Sequence, residues 1–120
     1  MPEFKRYQWS DEFFKVFEKS LNDDAQTLKH QVLNERAQVI RVLDDGVDLW
    51  TILRRERRQD GDELVFCCVE GTGLKKGYLL IEQWAKSLGM VTSRFHSLRG
   101  GLARMCDGYN VAEIVYRKEL

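Results

Sequence analysis

The sequence predicts an α/β (α+β) fold with a mixed sheet, an antiparallel meander followed by strand-helix-strand-helix-strand. Three observations carry that expectation. Two Asp-Gly turn signals, Asp45-Gly46 and Asp60-Gly61, divide the stretch from Gln38 to Val69 into three strand-like runs. A helical period of 3.6 returns between Gly73 and Gly89. Strand-like runs stand on both sides of that helix, and a strand, a helix and a strand in succession imply a parallel pair with a right-handed crossover.

The elements follow in order. Ser10 is a good N-cap for a helix beginning near Asp11, with Asp11 and Glu12 in the first turn where the helix dipole favours them. Trp9 and Phe14 stand at the spacing of a hydrophobic staple, and Phe13, Phe17 and Leu21 mark a buried face. Asn22-Asp23-Asp24 breaks the pattern and caps a shorter helix through about Leu33, with Leu28 and Val32 as its buried stripe. Gln38 to Leu43 reads as a strand. Val47 to Arg54 alternates, with Val47, Leu49, Thr51 and Leu53 on one face and Asp48, Trp50, Ile52 and Arg54 on the other. Leu64 to Val69 (LVFCCV) is a continuous apolar run, as a strand buried on both faces requires. Ile81, Trp84, Ala85 and Leu88 form the stripe of the next helix, and Gly89 is its C-cap glycine. Met90 to His96 reads as a strand, Leu102, Ala103 and Cys106 as a short helix closed by Gly108, and Val111 to Tyr116 as a last strand.

Composition narrows the class. The 120 residues fit a single domain, 1–120, large enough for a core without staples. Lys+Arg and Asp+Glu balance at 19 each, which argues against attachment to nucleic acid or membrane by bulk charge. No stretch has the length and apolarity of a membrane span, and the first residues lack the pattern of a secretory signal, so a cytoplasmic protein is the expectation. Cys67, Cys68 and Cys106 do not form a disulfide framework or a zinc-type spacing. Adjacent strand residues point to opposite faces, so Cys67 and Cys68 read as buried free thiols that are poor partners for each other.

From Leu64 onward the order of elements and the stretches VEGTGLKKGYLLIEQW, AKSLGMVTSRFH and GGLARMCDGYNVAEIVYRKEL resemble the GNAT superfamily of N-acetyltransferases, with Gly108-Tyr109 at the family's Gly-aromatic position. The resemblance covers most of the chain, about Tyr7 to Leu120. It implies acetyl-CoA as cofactor, an amine as acceptor, and a loop whose backbone N–H groups hold the pyrophosphate at a helix N-terminus. Carried onto this sequence, that loop is Val69, Gly71, Thr72, Gly73, Lys75 and Lys76. Acetyl transfer needs a base for the amine, and Glu63, Glu70 and His96 are the candidates. The chain departs from the family pattern at two points. Cys68 stands where the Q/R-x-x-G-x-G/A motif has Gln or Arg, and Arg104 stands where the family carries its acid tyrosine.

Each of these residues also has a structural reading. Gly-x-Gly occurs in many strand-to-helix turns, Lys75 and Lys76 suit a solvated first turn, and Glu63 and Glu70 suit strand ends. His96 can be a structural histidine, and His30 has no partner in sequence. Arg94, Arg99 and Arg104 could meet a ribose phosphate. Arg54-Arg55-Glu56-Arg57-Arg58 is either a contact for phosphate, RNA or an acidic partner, or a solvated hairpin end facing Asp60, Asp62 and Glu63. No aromatic platform accompanies it, which argues against nucleic acid. Two function classes therefore stay open. One is an acyl-CoA-dependent N-acyltransferase with a degenerate motif. The other keeps the fold without the chemistry, as an interaction or assembly protein that forms a homo-oligomer or joins a particle. Compact GNAT-like phage proteins are similar in size and in the RFH…GGLARM…GY pattern, and this second reading implies a protein partner and a virion location.

Overall fold

The computed structural model describes residues 1–18, 25–95 and 118–119. The expected last helix and strand, Cys106 and His96 lie outside them. Among the described residues, five strands form one sheet in the order β1 (Glu3–Tyr7), β2 (Ala37–Asp44), β3 (Val47–Arg58), β4 (Gly61–Thr72) and β5 (Met90–Phe95). The first four pair antiparallel, and β5 runs parallel to β4. The helices are α1 (Phe13–Val16), α2 (Ala25–Leu33) and α3 (Leu74–Ser87).

Alternation along the strands divides the core in two. Ile40, Val42, Val47, Leu49, Leu53, Leu64 and Phe66 pack with Tyr78, Ile81 and Ala85 of α3. Val39, Ile52 and Cys68 pack on the other face with Phe13, Phe17 and Val32 from α1 and α2. The sheet is thus covered on both sides, as the unbroken run LVFCCV requires. Thr51 is fully buried among apolar residues, and its Oγ1 donates to the Ile40 carbonyl at 2.8 Å, which offsets the cost of burying a hydroxyl.

Several expectations change. Strand β1 was not expected. EFKRY carries only Phe4 and Tyr7 among charged residues, so it has no clean period. Its pairing with Leu43 through Val39 of β2, and the stacking of Phe4 on Trp84 at 5.0 Å, make it a strand. The first helix ends at Val16, before the Phe17 that the Phe13-Phe17-Leu21 spacing includes, and Leu21 lies outside the described residues. Aromatic and β-branched residues are weak helix formers, and the chain leaves helical dihedrals at Phe17, whose side chain is fully buried. The staple does form, with the Trp9 and Phe14 rings 5.1 Å apart. Leu88 is 47% exposed instead of lining the α3 stripe, because the helix ends at Ser87 and Leu88 is its C-cap. Strand β3 extends to Arg58, so the basic cluster is part of a strand, not of a hairpin tip.

Cys67 and Cys68 do not take opposite environments. The β3–β4 register shifts beside Ile52, which pairs with Cys68 while Leu53 pairs with Phe66. Cys67 is the extra residue of a β-bulge, and both thiols pack against the α1–α2 side of the core. Burial pushes the Cys68 thiol up to about 12 and raises Cys67 as well, so both are protonated at neutral pH.

At the far end of the β2–β3 hairpin, Arg41 Nε and its terminal nitrogen donate to the two Asp48 oxygens, each at 2.8 Å. The guanidinium lies 4.8 Å from the Trp50 ring centre. This hydrogen bond holds the Asp48 carboxyl below its ordinary value, against the opposing effect of burial. A carboxyl lowered in this way adds stability that is complete above the ordinary Asp range and disappears as pH falls through the lowered value. Asp48→Asn is therefore expected to destabilise the protein at neutral pH by less than about 1 kcal/mol, since both partners are partly exposed. In urea titrations at stepped pH, that difference should shrink to nothing in strong acid. A constant difference would mean that the ion pair is not its source.

Candidate functional site

The stretch from Val69 to Lys76 links β4 to α3 and lies against the β2–β3 turn. Val69 is half-buried toward the α3 side of the core. Glu70 is half-buried opposite Trp50 and is engaged with neighbours. Gly71 and Thr72 are exposed, and they pair with Leu49 and Asp48 of β3.

Both glycines are demanded by packing. Gly71 has φ +137°, and a Cβ there would collide with the backbone oxygen of Asp48. Gly73 has φ +75°, and a Cβ would collide with the Gly46 oxygen in the β2–β3 turn. Any side chain would force the end of β4 away from the hairpin, whether or not a ligand binds. Glycine 77, one turn into α3, meets Leu49 Cδ2 at 2.6 Å in the same sense, which lets the helix sit close on β3.

The junction nonetheless has the donors of an anion site. Gly73 is the N-cap of α3, and no side chain caps it. The first helical hydrogen bond is Gly77 N–H to the Gly73 oxygen at 2.7 Å. The amides of Leu74, Lys75 and Lys76 therefore have no helical acceptor, and the positive end of the helix dipole adds to them. Lys75 is exposed and has no partner among the described residues. Lys76 differs: its Nζ donates to the Asp45 oxygen at 2.9 Å and lies 3.4 Å from Asp44 Oδ2. It fastens α3 to the β2–β3 turn. A diphosphate fits this donor set through backbone amides and Lys75.

Glu63 belongs elsewhere. It sits eight positions before Gly71 on β4, about 25 Å along an extended strand. Only 8% of it is exposed. It accepts from Arg58 Nε at 3.1 Å and Thr92 Oγ1 at 3.0 Å, and Arg94 Nε lies 3.1 Å from it. Glu56 joins Arg54 and Arg94 in the same network, at 2.6 and 2.7 Å. On the other face Arg55 bonds Asp62 at 2.5 Å and the Leu88 oxygen at 3.3 Å. The basic cluster is thus paired across β3, β4 and β5, and its carboxylates are engaged in ion pairs. Arg54 Nε and Arg94 Nε are both buried with no hydrogen-bond acceptor among the described residues. His96 is outside the described residues.

The bulge at Cys67 was not legible in the sequence. It interrupts the β3 ladder in mid-β4 and leaves a backbone position without a cross-strand partner. Two adjacent cysteines within an apolar run give no signal of it. Among the described residues there is no group of His, Cys, Asp and Glu side chains able to hold a metal ion, and no helix is long and apolar enough to cross a membrane.

No protein-family model and no curated protein matches the sequence. Among solved structures, the glucosamine-6-phosphate N-acetyltransferase of Arabidopsis thaliana is similar, with a TM-score of 0.54 over 97% of this chain and 98% of that one. The two share 10% identity, so the likeness is one of fold, and the fold is GNAT-like.

The glycine geometry makes a contrast measurable. Gly71→Ala meets backbone and strained dihedrals, and it is expected to cost more than about 2 kcal/mol. Gly77→Ala meets only the end of a leucine side chain and gains helix propensity, so it should stay within about 1 kcal/mol of the parent. Urea midpoints at unchanged slope test the order, and equal effects would contradict this account of the junction.

Proposed function

We propose that this chain is an acyl-CoA-dependent N-acyltransferase of GNAT type, with the pyrophosphate bound at the N-terminus of α3. One observation carries the reading: β4 ends in two exposed residues and runs directly into a helix whose first three amides have no acceptor or side-chain cap among the described residues. The GNAT-like fold supports it, because the similar Arabidopsis thaliana structure is a glucosamine-6-phosphate N-acetyltransferase.

Acetyl-CoA would supply an acyl group activated as a thioester. The chain's own groups do the rest. The Leu74, Lys75 and Lys76 amides and the Lys75 ammonium hold the phosphates. Lys76 keeps the helix seated on the hairpin through Asp44 and Asp45. Glu70, near the same end of β4, is the residue we assign as the base that takes a proton from the amine. Glu63 is not, because its oxygens are committed to Arg58, Arg94 and Thr92. His96 stays a candidate from the sequence alone.

The commitment of Glu63 favours a second reading, in which the fold serves as an assembly module in a homo-oligomer or particle and has no turnover. That reading would place the protein in a virion, and the first would place it in the cytoplasm.

Thermal midpoints with and without acetyl-CoA separate them. A ligand at about tenfold its Kd adds ~1.4 kcal/mol and should raise the midpoint by about 5 °C. Lys75→Glu, an exposed change, should leave the free protein's midpoint unaltered and shrink the shift. No shift would end the transferase reading. A shift with no release of thiol in the presence of a panel of amines would leave binding without transfer, and sedimentation with a larger particle would then support the assembly role.

A further inference from the structure

We propose that the chain holds a second ligand site, a cleft at the other end of the sheet from α3's N-terminus, which takes a small zwitterion with an apolar body, of the α-amino-acid class. The cleft has a volume of about 580 Å³, within the range of small-molecule sites. It lies where β1 ends and α2 turns into β2. Its lining includes residues paired with the region of Leu53 and Arg54 of β3, whereas α3 begins beside Asp48. The two places are roughly 17 Å apart along the strand. This site therefore does not depend on the acyl-CoA reading.

The backbone supplies the first argument. Helix α2 ends with Glu35 N–H bonded to the Val32 oxygen at 3.1 Å and Arg36 N–H bonded to the Gln31 oxygen at 2.8 Å. That pattern puts position 35 in the left-handed region, where glycine is the usual residue. Glu35 occupies it with φ +61°, the one non-glycine residue with positive φ among those described. The strain amounts to about 1 kcal/mol that glycine would remove. A glutamate kept in such a position on the wall of a cleft points to a contact that its carboxylate makes.

The lining supplies the second. Its two formal charges, Arg6 and Glu35, are opposite in sign, and neither side chain has an ion-pair or hydrogen-bond partner among the described residues. This contrasts with the basic cluster of β3, where nearly every charge is matched. An Arg and a Glu facing one space are complementary to a carboxylate and an ammonium on one molecule. Between them the walls are apolar and aromatic, with Tyr7, Trp9, Val32 and Leu33. Leu33 is 55% exposed beside the cleft, which leaves apolar surface for a ligand side chain to cover.

The test is an amide-shift titration of the full chain by NMR with L-leucine as probe. Shifts should concentrate at residues 6–9 and 32–38. Leucinamide, which lacks the carboxylate, and N-acetyl-leucine, which lacks the ammonium, should each bind about tenfold more weakly, the effect of one lost charge-assisted hydrogen bond. Glu35→Gln should weaken leucine by a similar factor. Glu35→Gly should raise the thermal midpoint and abolish the shifts, opposite effects that a merely structural residue would not combine. Absence of shifts with L-leucine, shifts elsewhere, or binding that Glu35→Gly leaves intact would each overturn the proposal.

Discussion

The antiparallel pairing of β3 with β4 is the constraint on which the rest depends. These are the two longest strands, and each is buried on both faces along its middle. A two-sided strand pair needs cover above and below. Helix α3 provides one layer through Tyr78, Ile81 and Ala85, and α1 with α2 provides the other through Phe13, Phe17 and Val32. The outer strands complete the sheet around that pair. Nothing in α1 would make it a stable helix alone, since four residues cannot meet the cost of nucleation. It is held by aromatic rings that dock on Trp50 and Tyr7.

The same pair positions the candidate site. Strand β4 can hand over to α3 only by passing tightly against the β2–β3 turn, and Gly71 and Gly73 make that passage free of collision. The glycines are therefore the consequence of a close backbone approach. The helix start that follows is a separate feature, with its first bond from Gly77 N–H to the Gly73 oxygen and no side-chain cap. The distinction matters because a Gly-x-Gly pattern alone cannot tell the two apart. The bulge at Cys67 has a related origin. One extra residue in β4 breaks the ladder and turns both thiols toward one side.

Charge is used structurally over most of the described surface. Glu63 and Glu56 tie three strands together through Arg54, Arg58 and Arg94, and Lys76 ties α3 to the hairpin. Long-range pairing of this kind is invisible in a list of residues. Glu63 and Glu70 look equivalent in sequence, as acidic residues flanking one apolar run. In space one is enclosed by Arg58, Arg94 and Thr92, and the other lies near the end of β4 opposite Trp50.

By itself the sequence determined what local chemistry controls. Asp-Gly pairs set the two hairpin turns, alternation in VDLWTILR set the faces of β3, and the 3.6 period set α3 with its glycine end. These signals act between neighbours in the chain, so they survive without tertiary context. The resemblance to the GNAT superfamily reached the mixed sheet for the same reason, since element order is a local property summed along the chain. Tertiary structure alone decided β1, the length of α1, the bulge, the fate of Glu63 and the reason for Gly71 and Gly73. Each depends on atoms far apart in sequence: a strand edge that needs a partner, a ring that needs a core, a carboxylate enclosed by three side chains, and a backbone oxygen where a Cβ would stand.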